Sequence, residues 1–162
     1  MHPDVQALIV RHGLRPLPVE GTLFVETWRS RQTLPDGASA GTAMLGLYCD
    51  DPPSHSLFHR LTTDEVWHYH GGDPLRLILL HPDGRSEDIV LGADGRHGQK
   101  VQHVVPAGTW QAGHLVRGGI YALYGCTLAP GFSMERFEAG DRESLLRQYP
   151  DRADDICRFT GS

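Results

Sequence analysis

Ser56-Leu57-Phe58-His59-Arg60-Leu61-Thr62-Thr63-Asp64-Glu65-Val66-Trp67-His68-Tyr69-His70-Gly71-Gly72 is the stretch on which the reading of this chain turns. A histidine, a carboxylate and aromatic residues alternate along a strand-like run that ends in a Gly-Gly turn. Further on, Val105-Pro106-Ala107-Gly108-Thr109-Trp110-Gln111 ends a second strand at a Pro-x-Gly turn carrying a Trp and a Gln. Two strand-and-turn segments of this kind can place polar side chains inside one small barrel, so the pattern predicts a pocket.

The flanking sequence extends the same period. Leu23, Val25 and Thr27 share one side of a run whose other side is Phe24, Glu26 and Trp28. Further strands are expected at Thr42 to Cys49, Leu75 to His81, Ser86 to Leu91, Val101 to Val105, Gly119 to Leu128 and Phe132 to Phe137. Turn signals at Pro35-Asp36-Gly37, His81-Pro82-Asp83-Gly84 and Asp94-Gly95 separate them. Strands at short, regular intervals mark a sandwich or barrel. Helices are expected only at the ends. Pro3 to Gly13 has proline in its first turn, Val5, Leu8, Ile9 and His12 on one side, and Gly13 to close it. Asp141 can cap Arg142 to Gln148, with Leu145 and Leu146 inward and Pro150 as a stop, and Asp154 to Phe159 can add a turn. The expectation is one all-β domain over residues 1–162 with short N- and C-terminal helices.

Bulk properties narrow the function classes. The chain has 162 residues, 40% of them hydrophobic and 22% charged, with a net charge of −5. Without a basic stripe to neutralise phosphates, nucleic acid is not the expected partner. No apolar run approaches the ~18 residues of a membrane span, and the N-terminus lacks the layout of a secretory signal. The three cysteines, Cys49, Cys126 and Cys157, form no CxxC pair, which fits reduced thiols and a cytoplasmic protein.

In this order the motifs resemble the cupin superfamily, and more closely a branch of small single-domain cupins of largely unassigned role. The resemblance runs from Glu20-Gly21 and Glu26-Thr27-Trp28-Arg29-Ser30 through Phe58-His59-Arg60-Leu61, Asp64-Glu65-Val66-Trp67-His68 and Gly72-Asp73-Pro74-Leu75. It continues with His81-Pro82-Asp83-Gly84, Val105 to Trp110, Cys126 to Phe132 and Tyr149-Pro150. It implies a double-stranded β-helix, the cupin jelly-roll barrel, a homodimer, and a small-molecule ligand inside the barrel. The family's usual metal set has two closely spaced histidines and a glutamate in the first motif and a third histidine after the Pro-x-Gly turn. Here Leu61 is the near neighbour of His59, and Gln111 stands at the third histidine's place. Pro18-Val19-Glu20-Gly21-Thr22 also lacks the branch's His before Glu-Gly and its second Gly.

The candidate residues follow. His59 is the expected base, since an imidazole near a carboxylate titrates close to neutral pH. Glu65, in an aromatic strand, must be paired or bind something, because a lone buried carboxylate is costly. Trp67 and Tyr69 share its parity and are expected on the pocket wall, whereas His68 and His70 take the opposite parity unless a bulge intervenes. Tyr121 and Tyr124 have opposite parity on one strand; Tyr121 is taken as the catalytic acid. Trp110 is expected to stack on a ligand, Gln111 to bond it, and Arg29 to anchor an anion. His103 and His114 are weaker candidates. Three functions remain open. One is a metal-independent isomerase or epimerase acting on a carbonyl or sugar-like metabolite, with His59 as base, by analogy with the superfamily's nucleotide-sugar epimerases. Another is a divalent-metal enzyme of isomerase, lyase or dioxygenase type using His59, Glu65 and Gln111. The third is a metabolite-binding module without chemistry. The cofactor expectation is accordingly none or one divalent metal ion.

Overall fold

The alternating runs fold as their period dictates. The computed structural model describes residues 1–18 and 21–161; Val19-Glu20, part of the motif at Glu20-Gly21, lies outside the described residues. Among these, the strands are β1 (Arg15–Pro16), β2 (Leu23–Arg29), β3 (Thr42–Cys49), β4 (Ser56–Leu61), β5 (Glu65–Gly72), β6 (Leu75–Leu80), β7 (Ser86–Leu91), β8 (Gln102–Val105), β9 (Trp110–Leu115), β10 (Tyr121–Leu128) and β11 (Phe137–Ala139). The helices are α1 (Pro3–His12), α2 (Arg142–Gln148) and α3 (Ala153–Arg158). One sheet has the order β1-β2-β3-β10-β5-β8 and the other β11-β4-β9-β6-β7, with antiparallel neighbours throughout. This is the jelly-roll barrel, with short helices toward both termini.

Each sheet face has its own packing partner. Between the sheets lie Tyr48, Trp67, Leu75, Leu77, Leu79, Leu91, Val105, Leu115, Tyr124 and Cys126. Leu75, Leu77 and Leu79 are fully buried, each worth roughly 1.5–3 kcal/mol of transfer free energy. Outside the six-stranded sheet, Val5 of α1 packs with Leu14, Leu23, Leu47 and Cys49. Outside the five-stranded sheet, Ile78, Leu80, Trp110 and Ala112 meet Leu145, Tyr149, Ile156 and Phe159 from the C-terminal helices. Gly13 ends α1 at φ 66°, its N–H bonded to Ile9 O, and Asp141 caps α2 through Ser144 N.

Three register irregularities decide which side chains enter the barrel. In β4, Ser56 pairs with Gly113 but His59 with Gln111, so three steps on one strand match two on the other. In β2, Glu26 pairs with Met44 and Trp28 with Ala43, leaving Thr27 extra. In β5, Tyr69 pairs with Tyr124 and Gly71 with Leu123, leaving His70 extra. A bulge reverses the facing of everything beyond it. The first puts both Ser56 and His59 inside despite their opposite parity, and the second returns Arg29 to the inner side.

Two expectations about elements change. Phe132 to Phe137 was expected as a strand; it holds a 3-10 turn at Met134–Arg136, and pairing resumes only at β11. Conversely, β9 was not anticipated as a full strand, because Ala112 and Gly113 weaken its β signal. It is held by ladders on both sides, with β4 and β6.

Candidate functional site

One end of the barrel is filled by buried apolar side chains, Leu75, Leu91 and Leu115 among them, and the other holds a cavity of ≈ 780 Å³. Its apolar walls come from Phe24, Val25, Met44, Leu61, Leu128, Phe132 and Phe137. Its polar lining includes Thr22, Thr42, Ser56, His59, Glu65 and the Tyr124 phenol, with Arg15, Glu26 and Arg29 as its exposed charged residues. An apolar vessel with a small convergent polar set is the form of a small-molecule site.

Glu65 is the centre of the polar set. It is buried at the start of β5, where Gln111 Nε2 donates to its Oε2 at 2.7 Å. Gln111 Oε1 in turn accepts from Trp67 Nε1 at 2.9 Å, so one amide bridges indole and carboxylate. Burial holds the Glu65 carboxyl above its ordinary range; the nearby His59 charge and hydrogen bonds from Gln111, Cys126 and Trp67 oppose this.

His59 is buried against Phe137, ring centroids 5.2 Å apart and nearly parallel. Its Nδ1 lies 2.8 Å from Leu57 O. A carbonyl only accepts, so Nδ1 carries a hydrogen, and in the neutral ring Nε2 holds the lone pair.

Beneath these groups is an aromatic floor. Tyr124 stacks on Trp67 at 4.8 Å and contacts Tyr48 at 4.5 Å. The floor depends on two glycines. A Cβ on Gly46 would lie 2.3 Å from Tyr124 Cζ, and one on Gly113 would lie 2.5 Å from Tyr48 Oη. Tyr48 Oη reaches Ser56 Oγ at 2.5 Å.

Of the candidates named from sequence, His59, Glu65, Trp67 and Arg29 line the cavity, and Gln111 fastens Glu65 and Trp67 from behind. The others fall elsewhere. Tyr121, named as the acid, packs with the α1 cluster outside the sheet, and Tyr124 holds the inner position instead. Trp110 faces the C-terminal helices, with the Arg60 guanidinium 4.4 Å from its ring centroid. Its expected stacking on a ligand does not fit that place, because β9 turns Gln111 inward and Trp110 outward. Tyr69 packs at the closed end, its hydroxyl on Gly72 O. Arg29 is matched by Glu26 through two contacts of 2.8 Å and also reaches Phe132 O, so its charge is already satisfied.

His68 bonds Thr127 on the outer face and His70 stands beside Gly125, as their parity predicts. His103 does not line the cavity. His114 lies outside the barrel, stacked on Phe159. Sequence reasoning passed over Thr22, Tyr48, Ser56 and Cys126. The shared parity of Met44, Gly46 and Tyr48 was the available signal for Tyr48, whereas the bulge between Ser56 and His59 left no trace in the sequence.

The donor set among the described residues does not fit the superfamily's metal site. Among the described residues no group of three or more His, Cys, Asp and Glu side chains is placed to hold an ion. Gln111 cannot take a ligand's place without a change of partners, since its oxygen accepts from Trp67 and its nitrogen points at Glu65.

The fold and this site define the class, a cupin barrel with an interior small-molecule cavity. The family model described as Cupin superfamily (DUF985) matches residues 6–140, and the chain belongs to that family. A search of curated proteins gives no match. Among solved structures, a hypothetical protein from Leishmania major is 30% identical, with TM-score 0.86, over 97% of this chain and 98% of its own. A protein from Shewanella oneidensis is 28% identical, with TM-score 0.88, over 99% and 98%. A cupin 2 conserved barrel domain protein from Rhodopseudomonas palustris, at 12% identity and TM-score 0.59 over 90% and 83%, shares the fold. No helix among the described residues is long and apolar enough to cross a membrane.

Proposed function

We propose that the cavity binds a small carbonyl compound with a mainly apolar body, and that the protein is an isomerase-type enzyme moving a proton next to that carbonyl. The observation that carries this reading is the place of His59 on the cavity wall near buried Glu65, its ring oriented by the Nδ1 contact with Leu57 O. His59 Nε2 removes the proton, and the electron pair of the broken C–H bond passes to the carbonyl oxygen as an enolate. Glu65 in its ionised form favours the imidazolium, as the imidazolium favours the carboxylate against its burial. Tyr124, on the facing sheet, replaces Tyr121 as the acid and returns a proton to carbon; phenolate and imidazolium then re-equilibrate with solvent. The apolar walls and the absence of Trp110 from the cavity favour such a ligand over a heavily hydroxylated sugar.

The test is deuterium uptake from D₂O at the carbon beside the carbonyl, followed by NMR across a panel of apolar ketones and carbonyl sugars. Uptake with the wild type and not with His59→Ala is expected. No uptake with any compound, alongside ligand-induced thermal stabilisation, would replace the enzyme with a binding module. The family also implies a homodimer, which light scattering would test.

A further inference from the structure

We propose that the Ser56 hydroxyl, aligned by Tyr48, is the donor that binds the ligand's carbonyl oxygen. This rests on the reading above and assigns the remaining polar corner of the same cavity. Thr22 Oγ1 lies 2.7 Å from His55 O, and because a carbonyl only accepts, the Thr22 hydrogen is committed there. Thr22 therefore turns only lone pairs towards Ser56 Oγ, 3.5 Å away at the limit of a hydrogen bond. On its other side Ser56 Oγ meets Tyr48 Oη at 2.5 Å. A phenol is far more acidic than an alcohol, so the favoured direction is Tyr48 donating and Ser56 accepting. The Ser56 hydrogen then has Thr22 as a distant acceptor, and a carbonyl oxygen in the cavity competes well for it.

The position suits the chemistry. Ser56 is 4% exposed and lines the cavity with Thr22 and His59, whereas Tyr48 sits behind it among fully buried residues. The bulge in β4 is what lets Ser56 and His59 enter the cavity from one strand. A proton taken by His59 leaves negative charge on the carbonyl oxygen, and a donor at Ser56 stabilises that charge more than it stabilises the neutral ketone. Ser56 thus touches substrate, and Tyr48 is a positioning residue acting through it. Gly113 belongs to the same device, since any Cβ there would meet the Tyr48 hydroxyl.

The probes are benzylacetone and butylbenzene, which share a skeleton and differ by the carbonyl. Their affinities are measured by NMR titration, and the carbonyl stretch of bound benzylacetone by difference infrared spectroscopy. Ser56→Ala is expected to weaken benzylacetone about threefold to tenfold, the worth of one neutral hydrogen bond, and to leave butylbenzene unchanged. The stretch should fall on binding the wild type, stay high in Ser56→Ala, and fall again in Ser56→Thr. Should Ser56→Ala fold poorly, Tyr48→Phe reads the same contact through a smaller shift of the stretch. Equal weakening of both probes, or a stretch that ignores both variants, overturns the proposal while leaving the cavity reading intact. Failure of the wild type to bind either probe overturns both. Loss of deuterium exchange with an intact Ser56-dependent shift in His59→Ala separates the two from the other direction.

Discussion

The two ends of the barrel interior are built from the same strands and have opposite chemistry. Along β6, Leu75, Leu77 and Leu79 all point inward and are fully buried. Their partners on β9 are Leu115, Gly113 and Gln111, so the neighbouring strand passes from apolar to polar over the same length. β5 runs the same course, from Glu65 at the cavity through Trp67 to Tyr69 at the closed end. The closed end needs nothing but close packing. The open end holds a carboxyl whose charged form is disfavoured by burial, and an amide, an indole and a thiol are arranged to contain it. Burying an ionisable group costs stability unless it is fully paired, and hydrophobic replacements of such groups are often neutral or stabilising. The difference teaches that the open end is shaped by what it binds, and the closed end by the need to fold.

Substitutions at each end should fail in different ways. The largest effect belongs to His59→Ala, which should lower the exchange rate at the carbonyl's neighbouring carbon by about 10²- to 10⁴-fold, the usual contribution of a positioned base, with little change in thermal midpoint. At the closed end Leu75→Ala should lower unfolding free energy by about 2–5 kcal/mol in chemical denaturation, as cavity formation demands, and leave exchange per folded molecule near the wild type. Gln111→Leu lies between. It strands the Trp67 N–H and one Glu65 oxygen and should cost about 1–3 kcal/mol. Tyr124→Phe should slow exchange markedly while Tyr121→Phe does not; the reverse order would put the acid outside the barrel. A thermal midpoint that drops more in His59→Ala than in Leu75→Ala would erase the distinction between the ends.

Much of the closed end was legible, because its signals are local and periodic. The bounds of β3 and β7, and α2 with its Asp141 cap, match the sequence reading. The barrel itself followed from strand spacing and the motif order. The cavity was only half legible. Glu65 and Trp67 followed from simple alternation, and His68 and His70 were placed outside by the same rule. His59 was named for its chemistry; its companion Ser56 was missed because a bulge, set by pairing with β9, reverses the facing between them. The choice between Tyr121 and Tyr124 likewise depended on which face of β10 the helix α1 covers, and no local pattern states that. The expectation for Trp110 failed because the Pro-x-Gly motif fixes the turn before β9 but not the side from which the C-terminal helices pack.

The most direct test of the contrast is the pH dependence of stability in the wild type and Glu65→Gln. Burial holds the Glu65 carboxyl above its ordinary 4.5, so the folded state keeps the proton more tightly than the unfolded chain. The wild type's stability from this group is then full below the unfolded value and is lost as pH rises through the raised folded value. Glutamine keeps the shape and does not titrate. The account predicts that Glu65→Gln gains in thermal midpoint relative to the wild type as pH rises from the ordinary carboxylate range to neutrality. A difference that is flat across that range, or that falls as pH rises, would mean that the charged carboxylate stabilises the barrel, and would contradict the claim that the open end is kept polar for a ligand.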